Sequence, residues 1–182
     1  MDIHLRNVQI KTDRLLIRPW VDSDLAAYFA YASLPAVGEM AGWKAHATID
    51  EARIFFRGGD FKTYSLAIEH LADGAAIGHI GIGASWAAKD ARFRCLPGAD
   101  MFYVLHPSYW GAGLAHEAAS ALISYCFAHM DIEMLTCGHF AHNLRSKRVV
   151  EKCGFAFDHE AKIFVPQLDT CVTQLRYVRP VR

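Results

Sequence analysis

The chain has 182 residues, of which 53% are hydrophobic and 21% charged, with 19 basic side chains balanced by 19 acidic ones. Such a length suits one domain, residues 1–182, that buries roughly 70% of its unfolded surface without a disulfide or metal staple; the composition excludes a disordered chain, and the even charge argues against a nucleic acid as partner. No apolar run reaches the roughly 18 residues a membrane span requires, and Met1-Asp2-Ile3-His4-Leu5-Arg6 lacks a secretory leader's apolar core, so no membrane partner and a cytoplasmic location are expected.

In chain order, Thr12 to Arg18 is a β-rich run ended by Pro19 and predicts a first strand. Asp22-Ser23-Asp24 offers an N-cap for a helix with Leu25, Tyr28, Phe29 and Ala32 at helical spacing, broken by Pro35 and Gly38. Thr48 or Asp50 caps a second helix through Ile54 and Phe55, which Gly58-Gly59 stops. Tyr64 to Glu69 reads as a strand, Asp73-Gly74 as a hairpin turn, residues 76–84 as the returning strand, and residues 86–98 as a loop. Asp100 to Leu105 is another strand and Pro107 a turn. Residues 111–130 form the strongest helix, with Ala115, Ala118, Ala119, Leu122, Ile123, Cys126 and Phe127 on one face. A strand over 132–140 follows, then a short helix opened by Asn143 and closed at Gly154, then late strands at 155–157, 161–165 and 171–178. The order β-α-α-β-β-β-α-β-α-β-β predicts an α/β (α+β) layer arrangement with about four helices around a mixed sheet, not a doubly wound fold.

The five cysteines are odd in number and form no CxxC pair, which fits a reducing compartment. Cys137-Gly138-His139 with His142 is the nearest approach to a metal cluster; zinc needs three or four converging ligands, and none is expected here. The stretch that carries chemistry is Tyr103 to Glu117: strand, turn, Trp110-Gly111-Ala112-Gly113-Leu114-Ala115, helix. Glycines at a strand-to-helix turn let backbone approach a ligand, and the free N–H groups of the first helical turn make an anion site suited to phosphate or pyrophosphate. The Walker pattern fails for want of Lys-Ser/Thr, and GxGxxG fails because His116 stands at its last glycine.

Trp110-Gly111-Ala112-Gly113-Leu114-Ala115-His116-Glu117-Ala118 resembles the Q/R-x-x-G-x-G/A acyl-CoA loop of the GNAT superfamily of N-acetyltransferases, with Trp110 where many members have Gln or Arg. The form is similar to the branch that holds the ribosomal-protein N-terminal (RimJ/RimL-like) acetyltransferases. Thr12 to Trp20, Asp100 to Pro107, and Asn143 to Phe155 resemble further segments of that branch in the same order. The resemblance implies a mostly antiparallel sheet and transfer of an acetyl group from acetyl-CoA to an amine acceptor, a protein N-terminus or a small molecule. A non-catalytic acyl-CoA-binding module on the same fold is the alternative, and a homodimer is left open.

The resemblance also distributes roles. The amides of Gly111, Ala112, Gly113, Leu114 and Ala115 hold the CoA pyrophosphate, and the backbone of Tyr103, Val104 and Leu105 pairs with the pantetheine arm. Asn143 bonds the arm or a water, Ser146 protonates the departing thiolate, and Arg145, Lys147 and Arg148 meet the 3′-phosphate. Acyl transfer needs a base for the amine and a donor for the oxyanion. Asp100 is the first candidate base, His139 the second, His79 a third histidine near the cleft, and the Val104 N–H the expected oxyanion donor. The acceptor pocket is expected from residues 35–48 and 86–98, with Trp43 and Trp86 as an aromatic wall and Phe102 narrowing it.

Overall fold

A computed structural model describes residues 4–181; the Met1-Asp2-Ile3 part of the leader argument lies outside them. Eight strands form one sheet in the order β1-β2-β3-β4-β5-β6-β8-β7. They are β1 (Ile10–Lys11), β2 (Leu15–Arg18), β3 (Ser65–His70), β4 (Ala75–Ala84), β5 (Gly98–Leu105), β6 (Met134–Phe140), β7 (Ala156–Val165) and β8 (Thr170–Pro180). All neighbours are antiparallel except β5 and β6. A parallel pair needs a crossover, and α5 (Leu114–His129) supplies it. Its Ala118, Ala119, Leu122, Ile123 and Cys126 bury one stripe against the sheet, together with Val150 of α6 (Leu144–Lys152) and Cys153 at its C-cap.

The opposite face carries α1 (Leu25–Ala32), α2 (Pro35–Ala41), α3 (Ile49–Arg57) and α4 (Gly59–Tyr64) around Trp20, Tyr28, Tyr31 and Phe56. Two of these short helices fall where the sequence reads as broken chain. Pro35 occupies the first turn of α2, where its missing N–H is no loss. Gly58 stops α3, yet α4 restarts at once. Thr48 is the cap of α3, accepting from the Glu51 amide at 3.2 Å. Asp24 precedes α1 without capping it; its carboxylate instead binds Arg18 at 2.7 Å, and Arg18 also holds Glu69 at 2.6 Å. The late strands run as two long ones; of the predicted break at 158–160, His159 and Glu160 pair with β8 and the register shifts at Asp158.

Glycine in β4 makes room for its neighbours. A Cβ on Gly81 would sit 2.2 Å from the Tyr64 carbonyl oxygen and 2.5 Å from the Phe102 ring. Because one of those atoms is backbone, Gly81→Ala is expected to destabilise the fold by about 1–3 kcal/mol. Urea unfolding checks this; a midpoint equal to wild type would contradict the packing described.

Candidate active site

The sheet opens at its one parallel seam. β5 and β6 pair only from Gly98 and Met134 to Met101 and Cys137; beyond, residues 102–105 and 138–140 diverge. The gap is a cleft of about 620 Å³, walled by β5, β6, the turn before α5, and α6. The His106 amide donates to the Ile77 carbonyl at 2.8 Å, which sets the antiparallel alternation: His79 and Val104 form a hydrogen-bonded pair. The Val104 amide is therefore turned into the β4 ladder, which corrects its expected role as oxyanion donor. Tyr103 and Leu105 present their amides to the gap. The Leu105 carbonyl is taken by the Trp110 indole N–H at 2.9 Å, and the Arg145 guanidinium lies 4.0 Å over the Trp110 ring.

At the bend, Gly111 (φ +81°) and Gly113 (φ +80°) are left-handed, a conformation that costs other residues about 1–2 kcal/mol. They turn the chain so that Gly111, Gly113, Leu114, Ala115 and His116 face the cleft, at the N-terminus of α5. Ala112 does not line it; its carbonyl accepts from Arg14 Nη1 at 2.9 Å. Arg14 in turn grips Glu117, whose carboxylate also takes the Thr12 hydroxyl at 2.6 Å and the Arg14 amide at 3.0 Å. Burial pushes the Glu117 carboxyl up, but these donors together hold it below its ordinary value. The tie is thus complete above the usual carboxylate range and fails as pH falls through the lowered value. Glu117→Gln is expected to raise the KM for acetyl-CoA about three- to tenfold with little change in kcat. Steady-state kinetics check this; an unmoved KM would detach Arg14 and Glu117 from the bend.

Asn143 lines the cleft but is engaged on both sides: its oxygen accepts the Ser146 amide at 3.1 Å as the cap of α6, and its nitrogen donates to the Met40 carbonyl at 3.4 Å. The Ser146 and Tyr103 hydroxyls, both in the cleft wall, are 2.8 Å apart. Arg145, Arg148 and Lys152 also line it, whereas Lys147 faces Glu151.

Asp100 enters the same wall from β5. Burial raises its carboxyl to about 6, against the opposing effects of the Thr136 hydroxyl bonded to it and of Arg176. His139 is corrected as a base: Nδ1 donates to the Phe140 carbonyl at 2.9 Å and Nε2 accepts from the Tyr177 hydroxyl at 3.2 Å, so no lone pair is free. His79 bonds the Tyr31 hydroxyl through Nδ1 at 2.8 Å, and burial lowers it to about 3, so it is uncharged near neutral pH. Trp86 is corrected as well. It lies against Phe93, His159 and Arg176 and lines neither the cleft nor the adjoining cavity, while Trp43 and Phe102 line both. Among the described residues no three His, Cys, Asp or Glu side chains are grouped to hold a metal, and no helix is long and apolar enough to cross a membrane.

Sequence reasoning missed the Arg14–Glu117 tie and the aromatic residues of α1, α3 and α4 beside Trp43. The tie has no local signal, since its partners are 103 residues apart.

The chain is 28% identical over 151 residues to the uncharacterized N-acetyltransferase YoaA of Bacillus subtilis (strain 168), covering 80% of this chain and 81% of the relative. The fold superposes on a GNAT-family acetyltransferase from Bacillus anthracis with a TM-score of 0.81 at 23% identity, covering 95% of this chain and 98% of that one. It also matches RimL, a ribosomal L7/L12 α-N-protein acetyltransferase in complex with coenzyme A, with a TM-score of 0.76 at 15% identity over 96% of this chain and 98% of that one. The family model for the acetyltransferase (GNAT) domain matches residues 14–156, from the arginine that ties the bend to the first residue of β7, and the chain accordingly belongs to that family of acetyl-CoA-dependent N-acetyltransferases.

Proposed function

We propose that this acetyltransferase moves the acetyl group onto a primary amine, of a protein N-terminus or a small molecule, by direct attack in the β5–β6 gap. The observation that carries the reading is the meeting of an amide-lined bend and an unpaired strand edge in one cleft. The residues present fit the coenzyme. The two left-handed glycines expose the first free N–H groups of α5, which suit a diphosphate. The Tyr103 and Leu105 amides suit the amides of a pantetheine arm laid along β5 like an added strand. Arg145 and Arg148 supply positive charge for the 3′-phosphate.

When bound, acetyl-CoA supplies a thioester, an acyl group already activated toward amines. Asp100 takes the amine proton; with its carboxyl raised to about 6 it is ionised at pH 7–8 yet a stronger base than an exposed aspartate. Thr136 fixes the carboxylate by one oxygen. The Tyr103–Ser146 hydroxyl pair holds the proton that the departing sulfur requires, with Asn143 and Trp110 fixing α6 and the end of β5 around it. Ser146→Ala is expected to lower kcat about tenfold or more while KM for acetyl-CoA moves less than about twofold. An unaltered kcat would remove Ser146 from proton delivery.

Thiol release from acetyl-CoA, followed across a panel of amines and peptides, tests the reading as a whole. Turnover with at least one primary amine is expected. Tight coenzyme binding with no turnover by any acceptor would favour a binding module.

A further inference from the structure

A second cavity, of about 830 Å³, adjoins the cleft on the α1–α4 face of the sheet. Trp43, His79 and Phe102 line both spaces and so form the throat between them. Its size lies within the range of small-molecule sites. Its walls are rings: besides Trp43 and Phe102 they include Tyr28, Phe55, Phe61 and Tyr64. The glycines of β4 contribute to its shape, because Gly81 lets the Phe102 ring lie against the strand and Gly83 lines the cavity floor.

Three features of the chamber select among amines. First, three large apolar side chains that line the chamber are left in solvent: Ile54 is 78% exposed, Phe55 45% and Phe102 37%. Exposed apolar side chains that converge on a cavity mark a binding surface. Second, the charge is one-sided. Among the described residues no lysine or arginine lines the chamber, and Asp60 is its one carboxylate. Burial lowers both His46 and His79, so neither adds positive charge near neutral pH. An ammonium group is tolerated on the way in, and an acceptor bearing a carboxylate or phosphate meets no cation. Third, part of the polar lining is already engaged: the Tyr28 hydroxyl bonds His46 at 3.1 Å and His79 bonds the Tyr31 hydroxyl behind it at 2.8 Å, which leaves Asp60, Tyr64 and Gln167 as the other polar side chains of the wall. A peptide would bring backbone amides into apolar walls that offer them little pairing, at a cost in desolvation.

Building on the acyl-transfer reading above, we propose that the acceptor is a small primary amine carried on an aromatic body, an arylalkylamine, whose ring lies among Tyr28, Phe55, Phe61 and Phe102 and whose nitrogen reaches the cleft through the Trp43–His79–Phe102 throat. In the transfer, the nitrogen forms a bond to the acetyl carbon as the carbon–sulfur bond breaks. An amine that arrives as ammonium first releases one proton to solvent; one proton of the attacking nitrogen then passes to Asp100, the sulfur takes its proton from the Tyr103–Ser146 pair, and Asp100 and the hydroxyl pair return to their starting states by exchanging one proton through solvent. Aromatic walls reward a flat apolar ring by area and by edge-to-face contact, which a linear alkyl chain or a polyamine does not match.

The experiment compares thiol release from acetyl-CoA by the full chain with 2-phenylethylamine, tryptamine, n-butylamine, spermidine and a short peptide with N-terminal serine. The kcat/KM for the two aromatic amines is expected to exceed that for n-butylamine by about tenfold or more, and that for spermidine and the peptide by more still. In Phe55→Ser, a change at a half-exposed side chain, the preference for 2-phenylethylamine over n-butylamine is expected to shrink toward one. Calorimetric coenzyme A affinity of the variant shows that fold and cleft persist. Release driven best by spermidine or the peptide, or equal rates for aromatic and linear amines, would overturn the chamber's assignment and leave the transferase reading standing. Coenzyme binding without release by any amine would overturn both.

Discussion

Gly113→Val is expected to weaken coenzyme A binding by about a hundredfold or more, as read by calorimetry. The cause is conformational and not a collision inside the protein. A Cβ at Gly113 would meet only the Arg14 guanidinium, at an ordinary 3.7 Å, and one at Gly111 would meet nothing within 4 Å. Both residues instead sit at φ near +80°, where a β-branched side chain is strained. Valine relieves that strain by turning the peptide, and the turn carries the N–H donors at the start of α5 away from the cleft. Each charge-assisted bond lost is worth about 1.5–3 kcal/mol, so two suffice for the expected effect. Circular dichroism and thermal unfolding of the variant separate this from misfolding, since the bend lies at the surface of the cleft and outside the buried core. Unchanged affinity in a folded variant would show that the bend does not hold the coenzyme.

Asp100→Asn is expected to lower kcat/KM by about a hundredfold while leaving the protein as stable as wild type or more so at pH 8. The two effects have one origin. Burial disfavours the charged carboxylate, so its folded-state value of about 6 stands above the ordinary 3.8. A value raised in the folded state means stability that is fully present below the unfolded value and declines as pH climbs through the folded one. Ionised Asp100 is then a cost of up to about 3 kcal/mol near neutral pH, and the amide isostere removes it while still accepting from Thr136. In wild type, kcat/KM is expected to rise with pH through about 6 as Asp100 deprotonates, and the variant is expected to lack that limb. An identical pH–rate profile would exonerate Asp100, and a destabilised variant would contradict its burial as described.

What the sequence displays of this fold follows from how local each feature is. The apolar spacing of α5, the cap at Thr48, the turn at Gly74 and the end of α6 at Gly154 are all set by neighbours within a few residues, and the structure keeps them. The bend at Gly111 and Gly113 is legible for the same reason: two glycines between a strand and a helix have few other uses. Pro35 shows the limit of such reading, because the same ring that interrupts a helix also starts one. Roles that depend on register or on distant partners were hidden. Which of Tyr103, Val104 and Leu105 turns its amide to the gap depends on the pairing of His79 with Val104 across β4 and β5. His139 is disqualified by Tyr177, which a separate strand delivers. Trp86 and Trp43 look alike as candidates for an acceptor wall, yet only the second lines the chamber. Arg14, read only as part of a strand, turns out to brace the bend through Glu117 and the Ala112 carbonyl.

The coenzyme's proposed seat is the main-chain amides at the α5 bend and the edge of β5 that faces the gap. A crystal structure after soaking with coenzyme A tests it most directly. The diphosphate is predicted within hydrogen-bond reach of the N–H groups between Gly111 and Ala115, with the pantetheine arm paired to Tyr103 and Leu105 and the sulfur near the Tyr103–Ser146 hydroxyls. A coenzyme found elsewhere, or a cleft left vacant at saturating concentration, would contradict it.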